Sequence, residues 1–462
     1  MKITKFSLAL LGAIVLLQTT QPTHAIEYIT KSSTQQVPLY LSEATDWIYV
    51  EGIEGGRVTF DASTGTITNA ERTITAANIP DSIGGIAVLS IGIEAFDKCL
   101  NLKTVTIPDT VTTLEEGAFF ACENLMDIRL SQNLTTIGKG AFAACNSLVT
   151  LELPNSLNTI EAWAFESCPF EVITIPDTVT YIGPAAFNHC QYLTTLVIPK
   201  GVTTLSEYAF SNCSGLTTIE IPDTITVIPE YTFSNCVNLA SIIIPETVTD
   251  IGYAAFYNCT SLSSIEIPNS VSSIAGGTFH NCINLTSVTL PNNLTAITNY
   301  MFENCTSLRE IDIPNSVTSI GEGAFLYCTN LSSIDIPATV TSIGNAAFGG
   351  CSGLDTISIP EGVTTIGKHV FVESTNLSTI YIPKTVTAIG ENSFDDCPSL
   401  IHIYFAGTKA QWNDLNVIVP YYIVMHYSGL DGFLEEHIVT VIVVVLIIAL
   451  LMGILFIRRK RK

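Results

Sequence analysis

Thirteen cysteines are the residues of this chain best equipped for chemistry, and all of them share one register. Cys99, Cys122, Cys145, Cys168, Cys190, Cys213, Cys236, Cys259, Cys282, Cys305, Cys328, Cys351 and Cys397 each stand three residues after a phenylalanine. Such a series could bridge in disulfides or hold zinc. The number is odd, Ser374 takes the same place in one further unit, and side chains in one register of a repeat point inward in parallel. Zinc would call for Cys-x-x-Cys or His-x-x-x-His spacing, which the sequence lacks. The pattern predicts a ladder of buried, reduced thiols in which cysteine serves as a small apolar filler. No metal and no other cofactor is expected.

Asn212, Asn235, Asn258, Asn281 and Asn304 directly precede the cysteine in five consecutive units. Short amides at a turn bond to turn backbone or to one another, and that is their expected role. Eight Asn-x-Ser/Thr sequons, at Asn133, Asn212, Asn258, Asn284, Asn293, Asn304, Asn330 and Asn376, are generated by the repeat itself and say little about glycosylation. The seven histidines are scattered, and there is no Gly-x-Ser-x-Gly, no His-Glu-x-x-His and no phosphate-cradling glycine loop. Carboxylates of neighbouring units do face one another, but no catalytic set emerges, so the protein is expected not to be an enzyme.

What must position these residues is a repeat. The phenylalanines are Phe96, Phe119, Phe142, Phe165, Phe187, Phe210, Phe233, Phe256, Phe279, Phe302, Phe325, Phe348, Phe371 and Phe394, spaced by 23 residues except for 22 between Phe165 and Phe187. A fixed period of this length marks a solenoid, whose units bury their apolar faces only against one another. Residues 88–405 are therefore one array, although the 462 residues would by length alone suggest about three globular domains. In Leu262-Ser263-Ser264-Ile265-Glu266-Ile267-Pro268 the isoleucines alternate with polar residues, as in a short strand with one buried face, and the proline ends it. Val271 and Ile274 predict a second short β segment or turn. Gly252, Gly321 and Gly344 suit a positive-φ bend, and Ala255-Phe256 with Cys259 predicts a helical turn whose ring plugs the gap between layers. The expected fold is an α/β repeat solenoid of about fourteen coils, its strands forming a parallel sheet roughly 65 Å long. The missing residue falls between Cys168 and Pro176, where Phe170 replaces the usual leucine, and a turn should absorb it.

The flanks differ. Residues 26–87 are expected to be an N-terminal cap containing a hairpin, Arg57 to Phe60 and Thr66 to Thr68, around Gly65. Residues 406–437 are expected to be a C-terminal cap and juxtamembrane stalk, with a capped helical turn near residues 407–415 and Trp412 over the last open coil. Residues 1–25 have the basic start, short apolar run and small-residue end of a signal peptide. Residues 438–457 carry no charge and are long enough to span a bilayer, and the basic residues 458–462 that follow would stay in the cytoplasm. The expectation is a single-pass plasma-membrane protein with its N-terminal part outside. The full chain has a net charge of −23; without the two basic residues of the leader and the five of the tail, 12 Lys plus Arg face 42 Asp plus Glu, a net −30. Such a surface repels phosphates, so nucleic acid is an improbable partner.

The informative surface is the outward strand position two residues before each proline. Along the stack it reads Thr106, Arg129, Glu152, Thr174, Val197, Glu220, Ile243, Glu266, Thr289, Asp312, Asp335, Ser358, Tyr381 and, by extension, Tyr404. Repeat proteins bind through such continuous faces. The candidate ligand-binding residues are Arg129, Glu152, Glu220, Glu266, Asp312, Asp335, Tyr381 and Tyr404. The carboxylates would steer basic partners, and tyrosine is a frequent interface anchor.

The unit Leu-x-x-Ile-x-Ile-Pro-x-x-Val-Thr-x-Ile-Gly-x-x-Ala-Phe-x-x-Cys, as in 308–328 and 331–351, resembles the BspA-like, Treponema-type leucine-rich repeat, over roughly residues 79–405. The phrases Arg57-Val58-Thr59-Phe60 and Gly407-Thr408-Lys409-Ala410-Gln411-Trp412-Asn413 also look like the flanks of bacterial members. The resemblance implies a surface-displayed horseshoe with its sheet on the concave face, binding host or neighbouring-cell macromolecules. Members have been linked to adhesion to matrix proteins such as fibronectin and fibrinogen, to coaggregation and to invasion. No binding motif of the family is sharp enough to transfer to particular residues. A structural coat protein and a ligand-sensing coreceptor without its own signalling domain are the alternatives.

Overall fold

The computed structural model describes residues 46–428, which lie within one compact unit of the chain, Leu41–Lys462. Residues 1–25 and 438–462, where the sequence places a leader, a membrane span and a basic tail, lie outside the described residues. Among the described residues no helix is long and apolar enough to cross a membrane.

Most coils contribute two short strands. In the first, Ser264–Glu266, only the central Ile265 is buried, and the strand pairs in parallel with Ser287–Thr289 of the next coil, residue for residue at an offset of 23. The proline two residues beyond Glu266 has no N–H for a ladder, and its carbonyl instead accepts the Val271 N–H at 3.0 Å, closing the turn. The second strand, Ser273–Ile274, pairs in parallel with Asp250–Ile251 of the preceding coil. Two ladders thus run along the stack.

The segment around the phenylalanine departs from expectation. It is not a helical turn. The N–H groups of Ala254, Phe256 and Asn258 reach forward to carbonyls of the next coil (Gly276 at 3.0 Å, Thr278 at 3.0 Å, His280 at 2.8 Å). Those of Ala255, Tyr257 and Cys259 close tight turns within their own coil at 3.0–3.3 Å. This alternation requires left-handed backbone at Ala254 (φ 51°) and Asn258 (φ 57°), and the same two positions are left-handed in coil after coil. Left-handed backbone costs an ordinary residue about 1–2 kcal/mol, a cost offset here by the intercoil hydrogen bonds. The fold is therefore a β-solenoid with almost no helix rather than an α/β one; the one helix among the described residues is Lys409–Asp414.

The glycines after the second strand also have a different reason from a positive-φ bend. Gly252, Gly321 and Gly344 do not adopt positive φ. A Cβ at Gly252 would lie 2.5 Å from the Glu230 nitrogen, and one at Gly344 2.6 Å from that of Glu322. Close approach of successive backbones selects glycine, although Ala275 and Thr298 fill the equivalent place in other coils.

The core is a column of phenylalanine rings from Phe96 to Phe394, fully or almost fully buried, with centroids 5.1–6.2 Å apart. Planes of neighbouring rings are close to parallel. The largest tilt, 28°, falls between Phe165 and Phe187, at the 22-residue step. Phe170 packs edge-on against Phe165 at 5.7 Å. The second ladder crosses this step intact, Thr159 pairing with Tyr181. The first ladder thins to a single Val172–Thr195 bridge between Asp127–Arg129 and Thr195–Val197.

Both ends extend the stack beyond the fourteen phenylalanine units, to about sixteen turns. The hairpin Val58–Asp61 with Thr66–Ala70 carries a bulge at Thr59/Phe60, and Thr66–Ile67 pairs in parallel with Ser90–Ile91. Ala76–Asn78 pairs in parallel with Thr104–Thr106, so the first ladder starts before Ile79-Pro80. At the other end the helix Lys409–Asp414 has a capping box between Thr408 and Gln411, and buried Trp412 packs against Phe405 at 5.4 Å. The ladder does not stop there, because Val424–Tyr427 pairs in parallel with His402–Phe405.

Candidate binding face

The thiols come first because they recur most. All thirteen are free and buried. Each from Cys122 onward donates to the carbonyl of a phenylalanine in the preceding coil, as Cys259 Sγ does to Phe233 at 3.2 Å. Ser374 Oγ makes the same bond to Phe348 at 2.9 Å, which explains why serine can stand in the series. Burial raises the thiol pKa, to about 12 at Cys145 and Cys213. They are thiols held protonated inside a wall, unsuited to nucleophilic chemistry.

The asparagines bond to one another, forming a ladder with a direction. Asn212 Nδ2 donates to Asn188 Oδ1 (2.9 Å), Asn235 to Asn212 (3.0 Å), Asn258 to Asn235 (2.8 Å), Asn281 to Asn258, and Asn304 to Asn281 (2.5 Å). Asn188 in turn donates to Glu166 Oε1 at 3.0 Å. All five residues from Asn212 to Asn304 are left-handed, with φ of 57–62°. Asparagine tolerates that conformation better than most residues, a reason for its presence that the sequence pattern alone did not expose. Among the sequons, Asn212, Asn258 and Asn304 have their amide nitrogens committed to this ladder.

The outward row is set by the first strand, whose end residues Glu220, Glu266 and Arg129 are exposed. Asp312 and Asp335 sit side by side in a parallel bridge. Glu220 and Glu266 are separated by Ile243, which is 83% exposed, so the acidic strip is interrupted by apolar surface. Arg129 lies 3.7 Å from Asp109, both exposed. Glu152 is exposed, but its coil forms no first strand, so it is detached from the ladder.

Tyr381 and Tyr404 stack at 4.9 Å with planes 15° apart. His426, on the added strand Val424–Tyr427, continues the stack over Tyr404 at 4.2 Å, and its Nε2 lies 3.1 Å from His402 Nδ1. The three rings border a concavity of about 500 Å³, whose lining also includes Ser358, Glu361 and Ser428. His426 escaped the sequence pattern because its coil lacks the proline; the alternation Val424-Met425-His426-Tyr427, parallel to His402-Ile403-Tyr404-Phe405, was the signal that could have found it. Among the described residues no group of three or more His, Cys, Asp or Glu could hold a metal ion.

Stacked coils of 23 residues, one of 22, with a near-uniform interior and a variable outward row define a solenoid repeat protein of the leucine-rich class. The profile of the BspA type leucine rich repeat region (six copies) matches residues 70–194, 159–286 and 272–401, and the chain belongs to this family. A leucine-rich repeat protein from Bacteroides ovatus is 26% identical, with a TM-score of 0.70, over 85% of this chain and all of that one. A leucine rich cell surface protein from Faecalibacterium prausnitzii is also 26% identical, covering 81% of this chain and 98% of its own, with a TM-score of 0.47. No curated protein matches.

Proposed function

We propose that the protein is a non-catalytic surface adhesin: a horseshoe whose outward strand row is the concave face, carried by a single membrane span at residues 438–457 after removal of residues 1–25, and displayed outside the cell. It binds extracellular proteins or glycans of host or microbial origin. Arg129, Glu152, Glu220, Glu266, Asp312, Asp335, Tyr381 and Tyr404 make up the contact row. The observation that carries this reading is the stack Tyr381–Tyr404–His426 beside a concavity, at the end of a row that also holds Asp312 and Asp335. Aromatic side chains supply rigid contact area and carboxylates steer basic partners. The test is capture by immobilised residues 26–436 from a panel of matrix proteins, glycans and microbial cells. Retention of a partner that Tyr381→Ala weakens is the expected result. Lateral self-association with no heterologous capture would replace adhesion by a coat role.

A further inference from the structure

A second concavity of about 500 Å³ lies on the phenylalanine-segment side of the coils, built from residues that the outward row does not contain. It crosses five successive coils, from Asn188 to His280, a length of about 20 Å at the coil spacing of a parallel sheet. Tyr208 and Tyr231 stack at 4.7 Å, and Tyr253 meets Tyr231 edge-on at 5.5 Å. Tyr257 and His280 pack edge to face at 4.9 Å. Tyr208 and Tyr253 remain 40% and 43% exposed. At Gly277 the groove has no side chain, and the nearest atoms to a Cβ there would be those of the Tyr253 ring at 3.8 Å or more, so this ring keeps open space beside it.

The polar lining is neutral. Asn212 spends its Nδ2 donors on Asn188 Oδ1 (2.9 Å) and Ser211 Oγ (3.0 Å), and Asn235 spends its own on Asn212 Oδ1 (3.0 Å) and Ser234 Oγ (3.3 Å). An amide oxygen has two lone pairs, and the ladder uses one. The asparagine oxygens therefore offer acceptors, and the hydroxyls of Tyr208, Tyr231, Tyr253 and Tyr257 can donate as well as accept, which suits an occupant rich in hydroxyls. No Lys, Arg, Asp or Glu lines the groove, and His280 is held by Glu303, its Nδ1 3.2 Å from Oε2. An anion would meet no lysine or arginine and would be repelled by Glu207 and Glu230 beside Tyr208, while Glu166 and Glu303 are taken up by Asn188 and His280. A long, uncharged ligand with many hydroxyl donors and apolar C–H faces for aromatic rings is a carbohydrate chain.

We infer that this groove is a second binding site, which takes a neutral polysaccharide along the stack, with Tyr208 and Tyr253 as ring platforms and the asparagine oxygens as hydroxyl acceptors. The site is independent of the Tyr381 face. The test is affinity electrophoresis of the full chain in native gels containing laminarin, amylose, yeast mannan or, as an anionic comparator, hyaluronate. Retardation by at least one neutral polymer is expected, weakened roughly tenfold or more by Tyr253→Ala and by Tyr208→Ala. Tyr253→Phe, which keeps the ring and the fold, should retain it, and Tyr381→Ala should leave it unchanged. Absence of retardation by all three neutral polymers overturns the inference. So does retardation that both alanine variants preserve, or a preference for hyaluronate. Loss of a protein partner in Tyr253→Ala without any polysaccharide effect would assign the groove to protein binding and overturn it as well.

Discussion

Phe279 and Glu266 belong to one coil, yet the rows of which they are part obey opposite rules. Inside, the same ring recurs from Phe96 to Phe394 at nearly constant spacing. Outside, the row runs through Val197, Glu220, Ile243, Glu266 and Thr289 without any shared chemistry. Backbone hydrogen bonds hold both rows at one repeat. In a close-packed interior, equal spacing demands equal volume in every layer. A side chain facing water meets no such demand. Uniformity therefore marks what holds the coil together, and variation marks where selection for a partner could act.

The largest effect that would sharpen this contrast comes from the interior thiols. In the folded chain burial raises their pKa from 9.0, to about 12 at several of them. Between those values the unfolded chain releases protons that the folded one keeps, so stability falls as pH rises. The contribution is fully present below pH 9 and is lost as pH climbs towards 12. Each thiol adds up to about 1.4 kcal/mol per pH unit, so thirteen together exceed a typical total stability of about 5–15 kcal/mol. A pH titration followed by circular dichroism should show steep alkaline unfolding, moved to higher pH when several cysteines are replaced by serine. A fold that persists to pH 12, with cysteines that fail to react with an alkylating agent even in denaturant, would break the picture of a buried thiol ladder.

Next in size is Phe256→Ala. The ring is fully buried between Phe233 at 5.5 Å and Phe279 at 5.7 Å. Its loss should cost about 3–5 kcal/mol in denaturant unfolding, because neighbouring layers are pinned by their own ladders and collapse only partly into the gap.

How much of this was legible in the sequence follows from the same contrast. The phenylalanine column, the thiol register, the proline turn and the strand containing Ile265 could be read because each depends on one residue type recurring at one spacing. The backbone between Gly252 and Cys259 could not. An Ala-Phe-x-x-Cys spacing fits a helical turn equally well, and only the forward hydrogen bonds to the next coil select alternating left-handed turns. Asn258 and Ala254 carried a faint signal, since asparagine and glycine recur where φ is positive. The outward row was legible as a row, but its continuity was not: Glu152 sits in a coil that forms no first strand, next to the 22-residue step, and His426 is added by a strand that lacks the repeat's proline.

A smaller effect tests the left-handed positions. Asn281 accepts from Asn304 and donates to Asn258, and its φ is 62°. Asn281→Ala removes both amide bonds and places an alanine in a disfavoured conformation, at an expected cost of about 2–4 kcal/mol. Asn281→Gly removes the same bonds but accepts the backbone, and should be about 1 kcal/mol less costly. Equal losses in thermal or denaturant unfolding would mean that the amide ladder alone, not the backbone, selects asparagine.

The smallest effect on the fold should come from Tyr381→Ala. Its ring is 44% exposed and stacks only on the outside of the coil, against Tyr404 at 4.9 Å. Removing an exposed aromatic pair costs about 1 kcal/mol or less, so the unfolding midpoint should barely move. Beneath it, Ile380 and Ile382 stay buried and the strand Thr379–Ile382 keeps its pairing on both sides. Capture of a macromolecular partner through this face should nevertheless fall by roughly tenfold or more, because an aromatic anchor contributes far more to an interface than to the strand that carries it. If Tyr381→Ala unfolds the protein as readily as Phe256→Ala does, the two rows have been assigned to the wrong sides of the coil, since only an interior ring loses packing on every side when it is truncated.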